Sequence, residues 1–243
     1  MSDDFANVYA DARRAHAYAG LEYPGTYYLA FRDLPALIGK PDPGHAALDF
    51  GCGAGRSTRF LRDLGFDRVV GVDISAEMVA AASAKDPGGD YRLLSGTGLE
   101  EVDEAAFDLI FSAFTFDNIP ATDKTPILAA IHRTLKPGGR YVQLVSAPEI
   151  YWHEWTSFST RDFPANREAV DGGAVHIVML DVEDRRPVDD VFCTDARYRE
   201  LFAAAGLDLV RRHQPVGRDD DPCDWVTETV VSPWSIYVLE AAR

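Results

Sequence analysis

The stretch Ala-Leu-Asp-Phe-Gly-Cys-Gly-Ala-Gly-Arg-Ser, residues 47–57, limits the fold more than any other part of the chain. A short apolar run, Ala46–Phe50, leads into Gly51, Gly53 and Gly55, and a helical pattern over Arg56–Leu64 follows with Phe60, Leu61 and Leu64 on one face. Alternate glycines let the backbone take positive φ and approach a ligand closely. The first turn of the helix points unpaired N–H groups at the same space. A strand, a glycine turn and a helix in direct succession make a unit of an α/β sheet, not of a helical bundle or a sandwich. The spacing excludes two common phosphate loops. Counted from Gly51, the third glycine of G-x-G-x-x-G falls on Arg56, and no G-K-[ST] follows.

The pattern repeats downstream. Arg68–Asp73 reads as a second strand, and Ser75 is a good N-cap for a helix over Ala76–Lys85. Tyr91–Leu94, Phe107–Ser112 and Arg140–Val145 read as strands three to five. A helix capped by Asp123 reaches Leu135, and Lys136-Pro137-Gly138-Gly139 ends it. Strands alternating with helices predict a doubly wound, mostly parallel sheet. The flanks differ. Residues 1–44 read as a helical cap of two stretches separated by Glu22-Tyr23-Pro24-Gly25, with one helix over Tyr27–Leu37, and residues 45–146 as the α/β core. Residues 147–192 break the alternation around a strand at Val175–Asp181 and read as a lid or acceptor insert. Residues 193–243 return to the core with a helix over Thr194–Ala205, a stop at Gly206, and strands at Leu207–Arg212 and Ser235–Glu240.

Asp73 ends the second strand, 24 positions after Asp49, where a carboxylate can accept both hydroxyls of a ribose. The plainer alternative is a glycine-punctuated turn beside a helix-capping acid. Charge narrows the partners. Lys and Arg total 24 against 39 Asp and Glu, a net charge of −15. Such a surface repels phosphate backbones and anionic membranes, so nucleic acid and membrane are not expected partners, whereas a neutral or cationic small molecule fits. No run approaches the ~18 apolar residues of a membrane span. Cys52, Cys193 and Cys223 form neither a zinc pattern nor a disulfide framework, so a reducing cytoplasm is expected.

At ALDFGCGAGRSTRFL, GVDISAEMVAAA, FDLIFSAFTFDNIP and LKPGGRYVQLV the chain resembles the class I S-adenosylmethionine-dependent methyltransferases. The resemblance implies a Rossmann-like seven-stranded sheet with its last strand antiparallel, and S-adenosyl-L-methionine as cofactor. It implies that Asp49 and the Gly51–Gly55 loop hold the methionine part. Asp73 would hold the ribose, with Ile74 and Met78 beside the adenine. Related sequences carry an acid after the third strand for the adenine amino group. Here Gly96 stands there, which leaves backbone groups of Thr97 or Gly98 for that contact and Leu99 against the ring. Ser112, Tyr28 and Arg32 complete the expected cofactor contacts. Arg32 offers a fork to the cofactor carboxylate, with a solvated helix arginine as the plain alternative.

Methyl transfer from a sulfonium needs alignment and a cation-tolerant wall more than a covalent nucleophile. Tyr23, Phe114, Phe116, Asn118, Tyr151 and Trp155 are the expected acceptor-site residues; a core role competes for the aromatics. Many relatives have histidine where Asp117 stands. A carboxylate there suits an ammonium or amidine and can accept a proton, or it can merely satisfy a turn. His153 is the expected general base. Asp117-Asn118 has no matching carboxylate and amide pair after Val145, so no metal is expected. The acidic runs Asp181–Asp190 and Arg218–Asp224 read as solvated loops. These features imply methyl transfer to N or O of a small, specialised metabolite. The same pocket would also serve cleavage or cyclisation of the cofactor itself, releasing methylthioadenosine, or non-catalytic binding.

Overall fold

The computed structural model describes residues 20–96 and 98–242. The expected first helical stretch of the cap, and Thr97, lie outside the described residues. The central sheet has seven strands in the order β3-β2-β1-β4-β5-β10-β9. These are β1 (Ala46–Phe50), β2 (Arg68–Asp73), β3 (Asp90–Leu93), β4 (Phe107–Ala113), β5 (Leu135–Ser146), β9 (Leu207–His213) and β10 (Trp234–Ala241). β1 to β5 are parallel, and β10 runs antiparallel to both β5 and β9. The chain order therefore reverses at β1 and β4, the place where α/β sheets bind ligands at their carboxyl ends.

Two apolar layers enclose this sheet. On one face Leu109, Phe111, Val142 and Leu144 meet helices α1 (Thr26–Arg32), α2 (Leu34–Ile38) and α3 (Arg56–Asp63). On the other, Ile110, Tyr141 and Val145 meet α5 (Ala121–Thr134) and α6 (Asp195–Ala204), while α4 (Ala76–Lys85) packs against β2 and β3. The period of two along each strand sends alternate residues to opposite layers. The added segment builds a small antiparallel sheet, β6 (Phe158–Ser159), β7 (Ala174–Met179) and β8 (Val188–Val191), in the order β6-β7-β8. Its Val175, Ile177 and Val188 join the layer that holds α1 and α2. Among the described residues no helix is long and apolar enough to cross a membrane.

Several local expectations are met for the reasons given. Ser75 caps α4, its Oγ accepting from the Met78 N–H at 3.3 Å; Thr194, expected as the first residue of its helix, is instead the cap of α6, accepting from the Arg197 N–H at 3.2 Å. Gly206 ends α6 at φ 72°. Three further expectations are corrected. The single helix over Tyr27–Leu37 is two, broken at Asp33 because Pro35 has no N–H to continue the ladder. Helix α5 starts at Ala121 after Pro120, so Asp123 lies in its first turn and does not cap it. The fifth strand starts at Leu135, because the Lys-Pro-Gly-Gly stretch is extended and the helix already stops at Thr134.

Candidate functional site

The glycine turn joins β1 to α3 with Gly51, Gly53 and Gly55 at φ 74°, 51° and 82°. A side chain at Gly51 would collide with the Thr115 hydroxyl. Thr115 follows β4 and donates from Oγ1 to the Phe50 carbonyl at 3.1 Å, so the turn and the end of β4 are locked together. Space is open above Gly53. Beneath the turn Asp49 is fully buried. Its Oδ2 accepts from Ser57 and Thr58 at 2.7 and 2.6 Å, while its Oδ1 has no partner. Burial pushes the Asp49 carboxyl up to about 6, against the two hydroxyls that hold it down. Asp73, at the end of β2, accepts from the Gly53 N–H at 2.8 Å and the Ser75 N–H at 2.9 Å. Its carboxyl is also raised by burial. A cavity lined by Gly51, Gly53, Ala54, Arg56 and Ala113 opens over this turn.

A second cavity, open on one side, lies between the small sheet and the carboxyl ends of β4 and β5. Phe114, Ile150, Ile177, Met179 and Trp234 form apolar walls, and Asp117, Asn118, Ser146 and Asp190 contribute the polar groups. Phe114 takes φ 63°, a left-handed conformation that costs energy for a residue with a Cβ and turns its ring toward this space. The Arg56 guanidinium bridges the two cavities. It lines the first, and stands 5.1 and 5.6 Å from the ring centres of Tyr27 and Phe114, which line the second.

In this second cavity Asp117 accepts from the Ser146 N–H at 3.1 Å and from its hydroxyl at 3.0 Å. Asp190 accepts from the Tyr151 hydroxyl at 2.9 Å and the Asn118 amide at 2.7 Å. Both carboxyls are buried and raised by desolvation, and Asp190 is raised further by Asp117. Lys124 is buried behind them. Its ammonium donates to the Phe116 carbonyl at 2.7 Å and lies over the Tyr198 ring.

A methyltransferase domain model matches residues 48–143, which span the glycine turn, Asp73 and Asp117. Residues 48–143 thus match a methyltransferase domain. The chain is 30% identical over 128 residues to an uncharacterized methyltransferase of Synechocystis, covering 51% of this chain and 58% of that protein. It is 29% identical over 129 residues to the N-demethylindolmycin N-methyltransferase of Streptomyces griseus, covering 52% and 54%. The chain thus spans a little over half the length of these two curated relatives. The fold is shared more widely. An S-adenosylmethionine dependent methyltransferase from Mesorhizobium loti superposes with a TM-score of 0.62 at 19% identity, covering 87% of this chain and 97% of that one.

Within this methyltransferase domain the expected cofactor residues converge in part. Asp49, the three glycines and Asp73 meet at one turn, with Ile74 and Gly98 half-buried nearby in sequence and Met78 buried. Ser112 is buried within the sheet, sharing a hydrogen bond of 2.7 Å with Tyr141. Arg32 is already engaged. Its fork grips Asp33 at 2.9 Å on both arms and its Nη1 donates to Asp221 at 2.8 Å, while Tyr28 is half-buried on the same helix. Arg56, a helix residue by its sequence pattern, is the guanidinium at the glycine turn, its Nη1 donating to the Glu22 carbonyl.

The acceptor set also divides. Phe114, Asp117 and Asn118 line the second cavity. Tyr23 instead edges onto Phe31 at 4.9 Å and sits 5.8 Å from Arg56. Phe116 is in the core between Phe50 and Tyr141, and Trp155 is buried with its Nε1 donating to the Ile150 carbonyl at 2.8 Å. Tyr151 is buried behind Asp190 rather than facing the cavity. His153 lies in an outer cleft with Glu154, Arg161 and Arg167, and does not line the cavity that holds Asp117.

The acidic runs are not merely solvated. Asp190 and Asp184 are buried, and Asp221 pairs with Arg32. The signal for Asp190 was present. In Val188-Asp189-Asp190-Val191 a period of two puts Asp190 on the inward face with Val188.

Proposed function

We propose that the protein transfers the methyl group of S-adenosylmethionine to a nitrogen or oxygen of a small molecule. The observation that carries this reading is the unpartnered Asp49 Oδ1 beneath the glycine turn. A buried acceptor without a donor costs about 1–3 kcal/mol, more if charged, and a ligand ammonium relieves it. The open space above Gly53 and the half-exposed Asp73 fit the remainder of the same ligand.

In this reading Asp49 receives the cofactor's ammonium through the turn, and Asp73 accepts from the ribose hydroxyls. Ile74, Met78 and Gly98 border the adenine. Arg56, which lines the cavity over the glycine turn while its Nη1 donates to the Glu22 carbonyl, is placed for the carboxylate; Arg32 is held by Asp33 and Asp221. When bound, the cofactor supplies a methyl carbon on a cationic sulfur. The chain's own part is to hold the acceptor in line with that carbon, keep water away and take a proton. Phe114, Tyr27 and Trp234 exclude water and present ring faces to positive charge. Asp117 is the nearest proton acceptor on the acceptor side; His153 is too far round the small sheet to share that cavity. Among the described residues no three His, Cys, Asp or Glu side chains are grouped to hold a metal ion.

Titration calorimetry with S-adenosylmethionine and S-adenosylhomocysteine tests the proposal. Both are expected to bind, with Asp73→Ala weakening each at least tenfold. Equal affinity in that variant would remove Asp73 from the ribose, and no binding by the wild type would end the reading.

A further inference from the structure

The second cavity contains a residue that neither the family resemblance nor the comparisons assign. Asp190 stands on β8 of the added sheet, and Asp117 follows β4 of the main sheet. Two segments far apart in the chain thus bring two buried carboxylates to one cavity whose walls are otherwise mostly apolar. We propose that Asp190 and Asp117 together hold the ammonium of the acceptor, so that the substrate is a small amine with an apolar body and the transfer is to nitrogen. The inference rests on the methyltransferase reading above and narrows its acceptor.

Charge balance supports it. The hydrogen-bond donors that fix the two carboxylates, Ser146, Asn118 and the Tyr151 hydroxyl, are all neutral. Burial drives the Tyr151 hydroxyl up, so it keeps its proton and acts as a donor. The cation facing the pair is Lys124, whose ammonium points at the Phe116 carbonyl and Tyr198 and is also drawn by Cys193 and Asp171. His176 is occupied by Asp189 at 2.8 Å, on the outward side of β8. Two carboxylates and one lysine leave one negative charge unmatched in a desolvated site, which is costly. In the empty site one proton on the pair neutralises it, consistent with the upward shift of both groups.

An ammonium can replace that proton without changing the net charge of the site. A neutral alcohol cannot, and a carboxylic acid would add to the repulsion. The apolar walls, Ile177, Met179, Val188 and Trp234 among them, take the rest of the acceptor.

The proton count closes. Binding of R–NH3+ releases the pair's proton to solvent. The ammonium then returns one proton to the pair, leaving a neutral amine. The N–CH3 bond forms as the S–CH3 bond breaks, its electron pair staying on sulfur. The product leaves as R–NH2+–CH3, and the pair again holds one proton.

The test uses β-phenylethylamine and its neutral counterpart phenethyl alcohol as probes of the full chain at pH 7, with S-adenosylhomocysteine present. Trp234 fluorescence and calorimetry in two buffers of different ionisation enthalpy supply the readouts. The amine is expected to bind at least tenfold more tightly than the alcohol and to release a proton, up to one per site. Asp190→Asn is expected to lower amine affinity at least tenfold and to abolish proton release, with alcohol and S-adenosylhomocysteine affinities unchanged. Equal binding of amine and alcohol, or amine binding without proton release, would overturn the proposal on the wild-type protein alone, whether or not the variant folds. Failure of S-adenosylhomocysteine to bind would instead strike the cofactor reading, a separate outcome of the same titrations.

Discussion

Replacing Asp49 by Asn separates what this residue does for a ligand from what it costs the fold. The side chain is fully buried, with one oxygen held by Ser57 and Thr58 and the other unpartnered. Its carboxyl sits at about 6 in the folded protein, against about 3.9 in an unfolded chain. The sign follows from proton binding. Between about pH 4 and 6 the native state holds the proton more tightly than the unfolded state, so stability falls as pH rises through that window and is flat above it. The gap is worth about 3 kcal/mol. Asparagine carries no such titration, and its amide oxygen can still accept from Ser57 and Thr58. Asp49→Asn is therefore expected to be more stable than the wild type at pH 7.5 by about 1–3 kcal/mol, with the difference shrinking to near zero at pH 4. Urea unfolding of both proteins at pH values from 4 to 8 measures this difference directly. The same variant is expected to lose S-adenosylmethionine affinity by about 100-fold, since a neutral amide no longer pairs with the ligand ammonium. A variant less stable than the wild type at pH 7.5, or a stability difference that does not change with pH, would refute the reasoning.

The aromatic residues give a second contrast. Phe116→Ala, in the core, is expected to destabilise by about 3–5 kcal/mol, whereas Phe114→Ala, with its strained backbone and cavity-facing ring, should cost clearly less in chemical denaturation while weakening acceptor binding. Asp33 is held down to about 2, chiefly by the Arg32 fork and also by His213. Its contribution is present above the ordinary carboxyl range and is lost as pH falls through about 2. Asp33→Asn should thus lower Tm at pH 7, with the deficit closing between about pH 4 and 2. Arg56→Ala should reduce S-adenosylhomocysteine affinity at least tenfold in calorimetry; an unchanged value would return the carboxylate contact to another group.

What the sequence by itself determined is local and periodic. The glycine turn, the strand and helix alternation, Asp73 at the end of β2 and the cap at Ser75 depend on residues within a few positions of one another, so they are legible in order along the chain. Tertiary structure alone decided which charged groups are free and which are spent. Arg32 is bound by Asp221, 189 positions away, and Asp190 reaches Asn118 across 72 positions. It also decided that Phe116 and Trp155 pack inward while Phe114, two residues from Phe116, faces a cavity. Burial and pairing are properties of what the rest of the chain brings to a residue, and an acid in a charged run reads the same whether solvent or a folded sheet covers it.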